Sequence, residues 1–178
     1  MKLTWFGGTT MRIHIGGAML VIDADEAPAG IDRAELVSGA ELRLSFRAVA
    51  DLDEVDPMQW GPRKAPALID ETAELPAVMT HRIGASVIVV DAVGEPPLLL
   101  ATGEVERMGR WAWNAVVVTM GEPEALPAIA ANVLDRLGPK LIAVAGSEAA
   151  VDQVIERIGA LLDGTGLVSL EPGLALEV

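Results

Sequence analysis

The sequence predicts an α/β domain built as two β-sheets packed face to face with helices outside. Three observations carry that prediction. Strand-like segments dominate the first forty-six residues, strands and helices alternate in the last third, and no repeat, low-complexity stretch or interdomain linker interrupts the 178 residues. One domain over residues 1–178 is therefore expected, with enough apolar content, 51%, to bury its own core.

Lys2–Phe6 is a short apolar strand. Met11–Ile15 alternates, with Met11, Ile13 and Ile15 on one face and Arg12 and His14 on the other. Gly16 and Gly17 supply the positive φ angles of a tight hairpin, and Met19–Ile22 follows as a buried strand ending in Asp23. Glu41–Phe46 reads as a strand that turns Leu42, Leu44 and Phe46 to one side. From Asp51 to Pro66 three prolines, with Met58 and Trp60 between them, argue for a loop.

Strands are expected next at Pro76–Thr80, Ala85–Val90 and Leu98–Thr102. Trp111 and Trp113 share the face of an extended segment and, with Met58 and Trp60, suggest an apolar interface patch. Ala115–Thr119 is a β-branched run typical of a strand buried on both faces. Pro123–Leu137 has a helical apolar stripe stopped by Gly138 and Pro139. Leu141–Ala145 is another buried strand. Ser147 caps a helix whose apolar side comprises Val151, Val154, Ile155, Ile158 and Leu162, ending at Gly164. Leu167–Leu170 and Leu174–Leu176 suggest a terminal hairpin about Pro172 and Gly173.

Composition removes chemistry. There is no cysteine, so disulfides, thiolate metal sites and a cysteine nucleophile are excluded, and His14 and His81 are the two histidines. The formal net charge is −13, and the ten arginines are scattered singly along the chain, which argues against nucleic-acid binding. No apolar run approaches the ~18 residues of a membrane span, and no signal-peptide pattern opens the chain. A cytoplasmic protein without membrane contact is the expectation.

Candidate sites are few. His14 and His81 have no histidine partner at helical or strand spacing. Asp23, Asp25 and Glu26 form one acidic group, and Asp51, Asp53, Glu54 and Asp56 another. Neither has the spacing of a calcium loop. No serine sits in a Gly-x-Ser-x-Gly elbow, and the Gly7–Thr10 stretch lacks the lysine and following helix of a phosphate loop.

The segments Lys2–Gly8 (KLTWFGG), Met11–Gly17 (MRIHIGG) and Leu20–Asp23 (LVID) together resemble the opening of the metallo-β-lactamase superfamily. The likeness is to its branch of small, ascorbate-phosphate-lactonase-like metal-dependent hydrolases. Ala40–Phe46, Leu75–His81, Leu99–Val105, Leu137–Ala145 and Leu170–Glu177 are similar, in order, to later segments of that family. The resemblance implies an αββα four-layer sandwich, shortened between the metal motif and the strand that carries His81.

The family's metal motif, His-x-His-x-Asp-His, falls on Arg47, Val49, Asp51 and Leu52, where the aspartate alone survives. The early family histidine is Gly8 here, the Gly-Asp-Thr stretch becomes Thr102, Gly103 and Glu104, and the last histidine falls near Gly146. His81 alone matches a family histidine. The resemblance thus implies a fold that has lost its metal ligands, holds no cofactor, and acts by binding a small molecule or by homo-oligomerisation. The alternative is a hydrolase with a degenerate site, in which Asp51, His81 and Glu104 would be the catalytic groups and a divalent metal such as zinc or manganese the cofactor.

Overall fold

The computed structural model describes residues 1–64 and 76–178. The remainder of the proline-rich stretch, residues 65–75, lies outside the described residues, as does the start of the segment expected to lead into the His81 strand.

Alternating apolar side chains assemble the first sheet. The strands β1 (Lys2–Gly7), β2 (Thr10–Ile15) and β3 (Ala18–Ile22) pair antiparallel in succession, through a tight turn at Gly8–Thr9 and the one expected at Gly16–Gly17. Asp32 caps a single turn, α1 (Arg33–Leu36), by accepting from the Ala34 amide at 2.8 Å. The strand β4 (Leu42–Leu44) then returns parallel to β3. It is shorter than the Glu41–Phe46 strand expected, because Ser45 caps a 3₁₀ segment over Phe46–Asp51.

The second sheet begins with β5 (Val78–Ile83), β6 (Val87–Ala92) and β7 (Leu98–Ala101), all antiparallel neighbours. Then β8 (Val116–Thr119), β9 (Leu141–Ala145) and β10 (Gly166–Leu170) join in parallel, connected by α2 (Leu126–Leu137) and α3 (Glu148–Ile158). Pro127 rather than Pro123 occupies the first turn of α2, and Gly138 ends that helix at φ 52°. Ser147 caps α3 as expected, but the helix stops before Leu162, and Ile155 is half exposed.

Two other expectations are corrected. The expected terminal hairpin does not form. β10 lies at the edge of the six-stranded sheet beside β9, whereas β11 (Ala175–Glu177) crosses to the other sheet and pairs with β1. The Pro172–Gly173 turn redirects the chain between sheets, and the Gly173 amide donates to the Trp5 carbonyl at 2.7 Å. Trp111 and Trp113 lie on a 3₁₀ turn, Arg110–Asn114, not on a strand, so they do not share a face.

The architecture is metallo-β-lactamase-like. Leu3, Met11, Ile13, Leu20 and Ile22 of the first sheet pack against Ile88, Val90, Leu98, Leu100 and Val118 of the second. The opposite face of the second sheet buries Val89, Leu99 and Val117 under Ile129, Val133, Val154 and Ile158 of the helices. Fully burying each such side chain stabilises by roughly 1.5–3 kcal/mol. On the outer side of the first sheet lies the short α1 turn, held by Arg12, whose Nε donates to the Leu36 carbonyl at 3.2 Å.

Candidate functional site

Parallel pairing of β3 with β4 sets the end of β3 beside the start of the 3₁₀ segment. Asp23 closes that corner. It is 4% exposed, its amide donates to the Leu44 carbonyl at 2.8 Å, its carboxylate accepts from the Phe46 amide at 3.0 Å, and its carbonyl accepts from the Thr10 hydroxyl at 3.0 Å. These bonds hold Asp23 at φ 45°, ψ 49°, a left-handed conformation uncommon for a residue with a side chain.

A cleft of about 560 Å³ opens above this corner. Its lining includes Asp23, Asp25, Glu26, Arg33, Arg43 and Arg47. Arg47 reaches Glu26 at 2.8 Å while its side chain stays 80% exposed. Arg33 starts α1 and Arg43 projects from the middle of β4; neither forms an ion pair with a carboxylate among the described residues. Arginines expected to be scattered are thus gathered three to one cleft. Arg43 carried a weak signal, as the polar residue between Leu42 and Leu44; Arg33 carried none.

Asp51 ends the 3₁₀ segment and is exposed. The chain beyond it is stitched to β5: the Arg82 amide donates to the Asp53 carbonyl at 3.0 Å, the Val55 amide to the Arg82 carbonyl at 3.1 Å, and the Arg82 guanidinium meets Glu54 at 2.8 Å. His81 neighbours Arg82 but points to the other face of β5. There its ring meets Trp60 edge-on at 6.1 Å, and Trp60 meets Trp111 at 4.6 Å. The His81 Nδ1 is buried and has no hydrogen-bond partner among the described residues. Leu52, next to Asp51, packs against the core between the sheets, whereas Trp60 packs on the helix side. Glu104 is exposed, and its backbone carbonyl accepts from the Ser86 hydroxyl at 2.9 Å.

The metal that the resemblance implies does not fit these residues. Among the described residues no group of three or more His, Asp or Glu side chains is placed to hold a metal ion. At Gly146, where the last family histidine would sit, a Cβ would lie 2.6 Å from Leu126 Cδ1, so Leu126 fills that space. At the motif itself stand a guanidinium, paired with Glu26, and the apolar Val49 and Leu52. A fixed cation beside a dication is unfavourable, and a single exposed carboxylate supplies too few oxygen ligands.

The apolar patch expected of Met58, Trp60, Trp111 and Trp113 is divided. Trp60 and Trp111 are half-buried, with the Trp111 Nε1 donating to the Pro57 carbonyl at 2.9 Å, while Met58 and Trp113 are each 61% exposed. Among the described residues no helix is long and apolar enough to cross a membrane.

No family model matches this chain, and no curated protein matches it. Solved structures do. The chain is similar to Igni18, a novel metallo hydrolase from the hyperthermophilic archaeon Ignicoccus hospitalis, with a TM-score of 0.55, 12% identity, and coverage of 99% of this chain and 98% of that one. It also aligns with a putative zinc-dependent hydrolase of the metallo-β-lactamase superfamily from Thermotoga maritima, with a TM-score of 0.46, 16% identity, and coverage of 96% and 99%. At such identities the likeness is one of fold.

Proposed function

We propose that this chain is a non-catalytic relative of the metallo-β-lactamase-like hydrolases, shortened and without their metal ligands, that acts by binding a small molecule in the cleft beside Asp23. The observation that carries the reading is the occupation of the metal positions. Arg47 stands where the first motif histidine would be and pairs with Glu26 at 2.8 Å, and Leu126 fills the space of the last one. Solved structures of this fold include a metallo hydrolase, so the fold itself is compatible with catalysis.

The alternative hydrolase, working through Asp51, His81 and Glu104, has less support. Among the described residues these groups do not form a metal-holding cluster; Asp51 and Glu104 are exposed, and the His81 ring packs against Trp60. Self-association is weakened by the inward turn of Trp60 and Trp111, which leaves Met58 and Trp113 as the exposed remainder of the patch.

Elemental analysis of protein purified without chelator tests the reading. The expected result is far less than one zinc, iron or manganese per chain. Stoichiometric metal would overturn it and restore the hydrolase, with Asp51→Asn as the variant that should then lose both metal and activity.

A further inference from the structure

An edge strand with free backbone groups is a template for another chain, and proteins blunt such edges by shortening, charging or covering them. Both sheets here have blunted edges. β4 is three residues long with Arg43 at its middle, and β11 is three residues long and ends in Glu177. β5 is met at Arg82 by residues 53–55. β10 differs from these. Gly166–Leu170 has five residues without a charge or a proline, and among the described residues it pairs with β9 alone. The Gly166 amide donates to the Lys140 carbonyl at 2.9 Å, so in this parallel pair Gly166, Val168 and Leu170 turn their backbone groups to β9. Leu167 and Ser169 then present their N–H and C=O groups outward.

A groove of about 510 Å³ lies between this edge and α3. Its walls are mostly apolar, with Ile155, Gly159 and Leu162 on the helix and Leu167 on the strand. Ile155 is 50% exposed beside the open edge. At about 100° per residue, Glu148, Asp152 and Glu156 fall in the next stripe of α3 outside Ile155, on the flank turned to β10. Arg157 falls instead on the flank of Leu161, which lines the groove between α3 and α2. The rim beside β10 is therefore acidic. Leu167 packs toward the helices and Val168 toward the core between the sheets, so a strand added beside β10 would alternate in the same way.

We propose that the β10 edge accepts an added strand from a partner protein, an extended segment in which basic and apolar residues alternate. Leu167 and Ser169 supply the backbone ladder, a mode in which main-chain bonds give affinity and alternate side chains give specificity. On the helix side, lysine or arginine stems of the partner cover Ile155 and Gly159 while their charged ends reach Asp152 and Glu156. On the other side, the intervening apolar residues extend the surface of Val168. A second copy of this chain is the poorer occupant. A two-fold pairing of β10 with itself sets two acidic α3 flanks side by side in a protein of formal charge −13. This edge belongs to the six-stranded sheet and the cleft beside Asp23 to the other, so the inference goes beyond the binding role proposed above and is independent of metal content.

The test is fluorescence anisotropy of a labelled, amidated peptide that alternates lysine and valine, titrated with the intact chain at low and at physiological ionic strength. Saturable binding at one site per chain is expected, weaker at the higher salt. A peptide that alternates glutamate and valine should not bind. Ser169→Pro should weaken binding at least about tenfold, because proline removes an outward N–H that β9 does not use. Asp152→Lys combined with Glu156→Lys should weaken it about tenfold. Glu35→Lys, an exposed charge reversal on α1, should leave it unchanged. Thermal melts confirm folding. Should Ser169→Pro not fold, the lysine–valine peptide N-methylated throughout keeps the side chains, loses the donors, and should bind at least about tenfold more weakly. Absence of saturable binding, equal binding of the acidic or N-methylated peptide, or equal weakening by Glu35→Lys overturns the proposal. So does light scattering that shows a dimer dissociated by Ser169→Pro, which would give the edge to a second copy.

Discussion

Asp91 shows how much one buried charge can govern here. It is 1% exposed and accepts from Arg63 Nε at 2.6 Å, while the same guanidinium donates to the Asp91 and Pro76 carbonyls, each at 2.8 Å. Arg63 thereby ties the two ends of the chain around residues 64–76 to β6. Removing one partner strands the other in a poorly solvated place, so Asp91→Ala should cost about 3–5 kcal/mol in urea unfolding. The double variant Asp91→Ala, Arg63→Met should lose less than the sum of its singles, because no charge is then left unpaired. None of this was legible in the sequence, where Arg63 and Asp91 stand 28 residues apart with no shared motif. Residues judged by their own strand were legible: His14 was placed on the polar face of an alternating strand and is exposed there. The arginine cleft was not, because it depends on the parallel β3–β4 pairing and on where the α1 turn begins, both settled by tertiary contacts.

At the scale of elements, periodicity predicted that a strand or helix exists better than which neighbour it joins. The pattern predicts strands at Leu167–Leu170 and Leu174–Leu176 around a true turn, yet the two enter different sheets. A Pro-Gly turn specifies a reversal, not a partner. Leu170 is buried in the core between the sheets, and the chance to bury it beside Ala145 outweighs local hairpin pairing. Spacing alone predicts a strand for Trp111 and Trp113, whereas Gly109 admits a close approach to Trp111 and the chain coils into a 3₁₀ turn. Caps were more dependable, because a cap is a local bond. The Ser147 hydroxyl accepts from the Ala150 amide at 3.4 Å, a long bond, so Ser147→Ala should destabilise by about 0.5–1 kcal/mol, at the low end for an N-cap. A shift of the urea midpoint without a change in slope would register it.

Over the whole molecule, the two sheets are unequally protected, and this places the cleft in the softer half. β8 pairs on both sides and is buried along its length under α2 on one face and the first sheet on the other. β4 has three residues, none of them buried, and one neighbour among the described residues. Local opening free energies follow such contact density, so amides of β4 and the 3₁₀ segment after it should exchange with solvent well before those of β6 to β9. A ligand that binds only the closed form raises the opening free energy by RT ln(1 + [L]/Kd), about 2.7 kcal/mol at a hundredfold excess over Kd. A small molecule held in the cleft beside Asp23 at that excess should slow exchange about a hundredfold at the Leu44 amide and across Phe46–Asp51, while leaving the β8 amides unchanged unless they exchange by global unfolding. Hydrogen exchange followed by mass spectrometry resolves these peptides. Uniform slowing across the chain would point to general stabilisation instead of a site, because a ligand seated at one edge of one sheet protects the amides of that edge first.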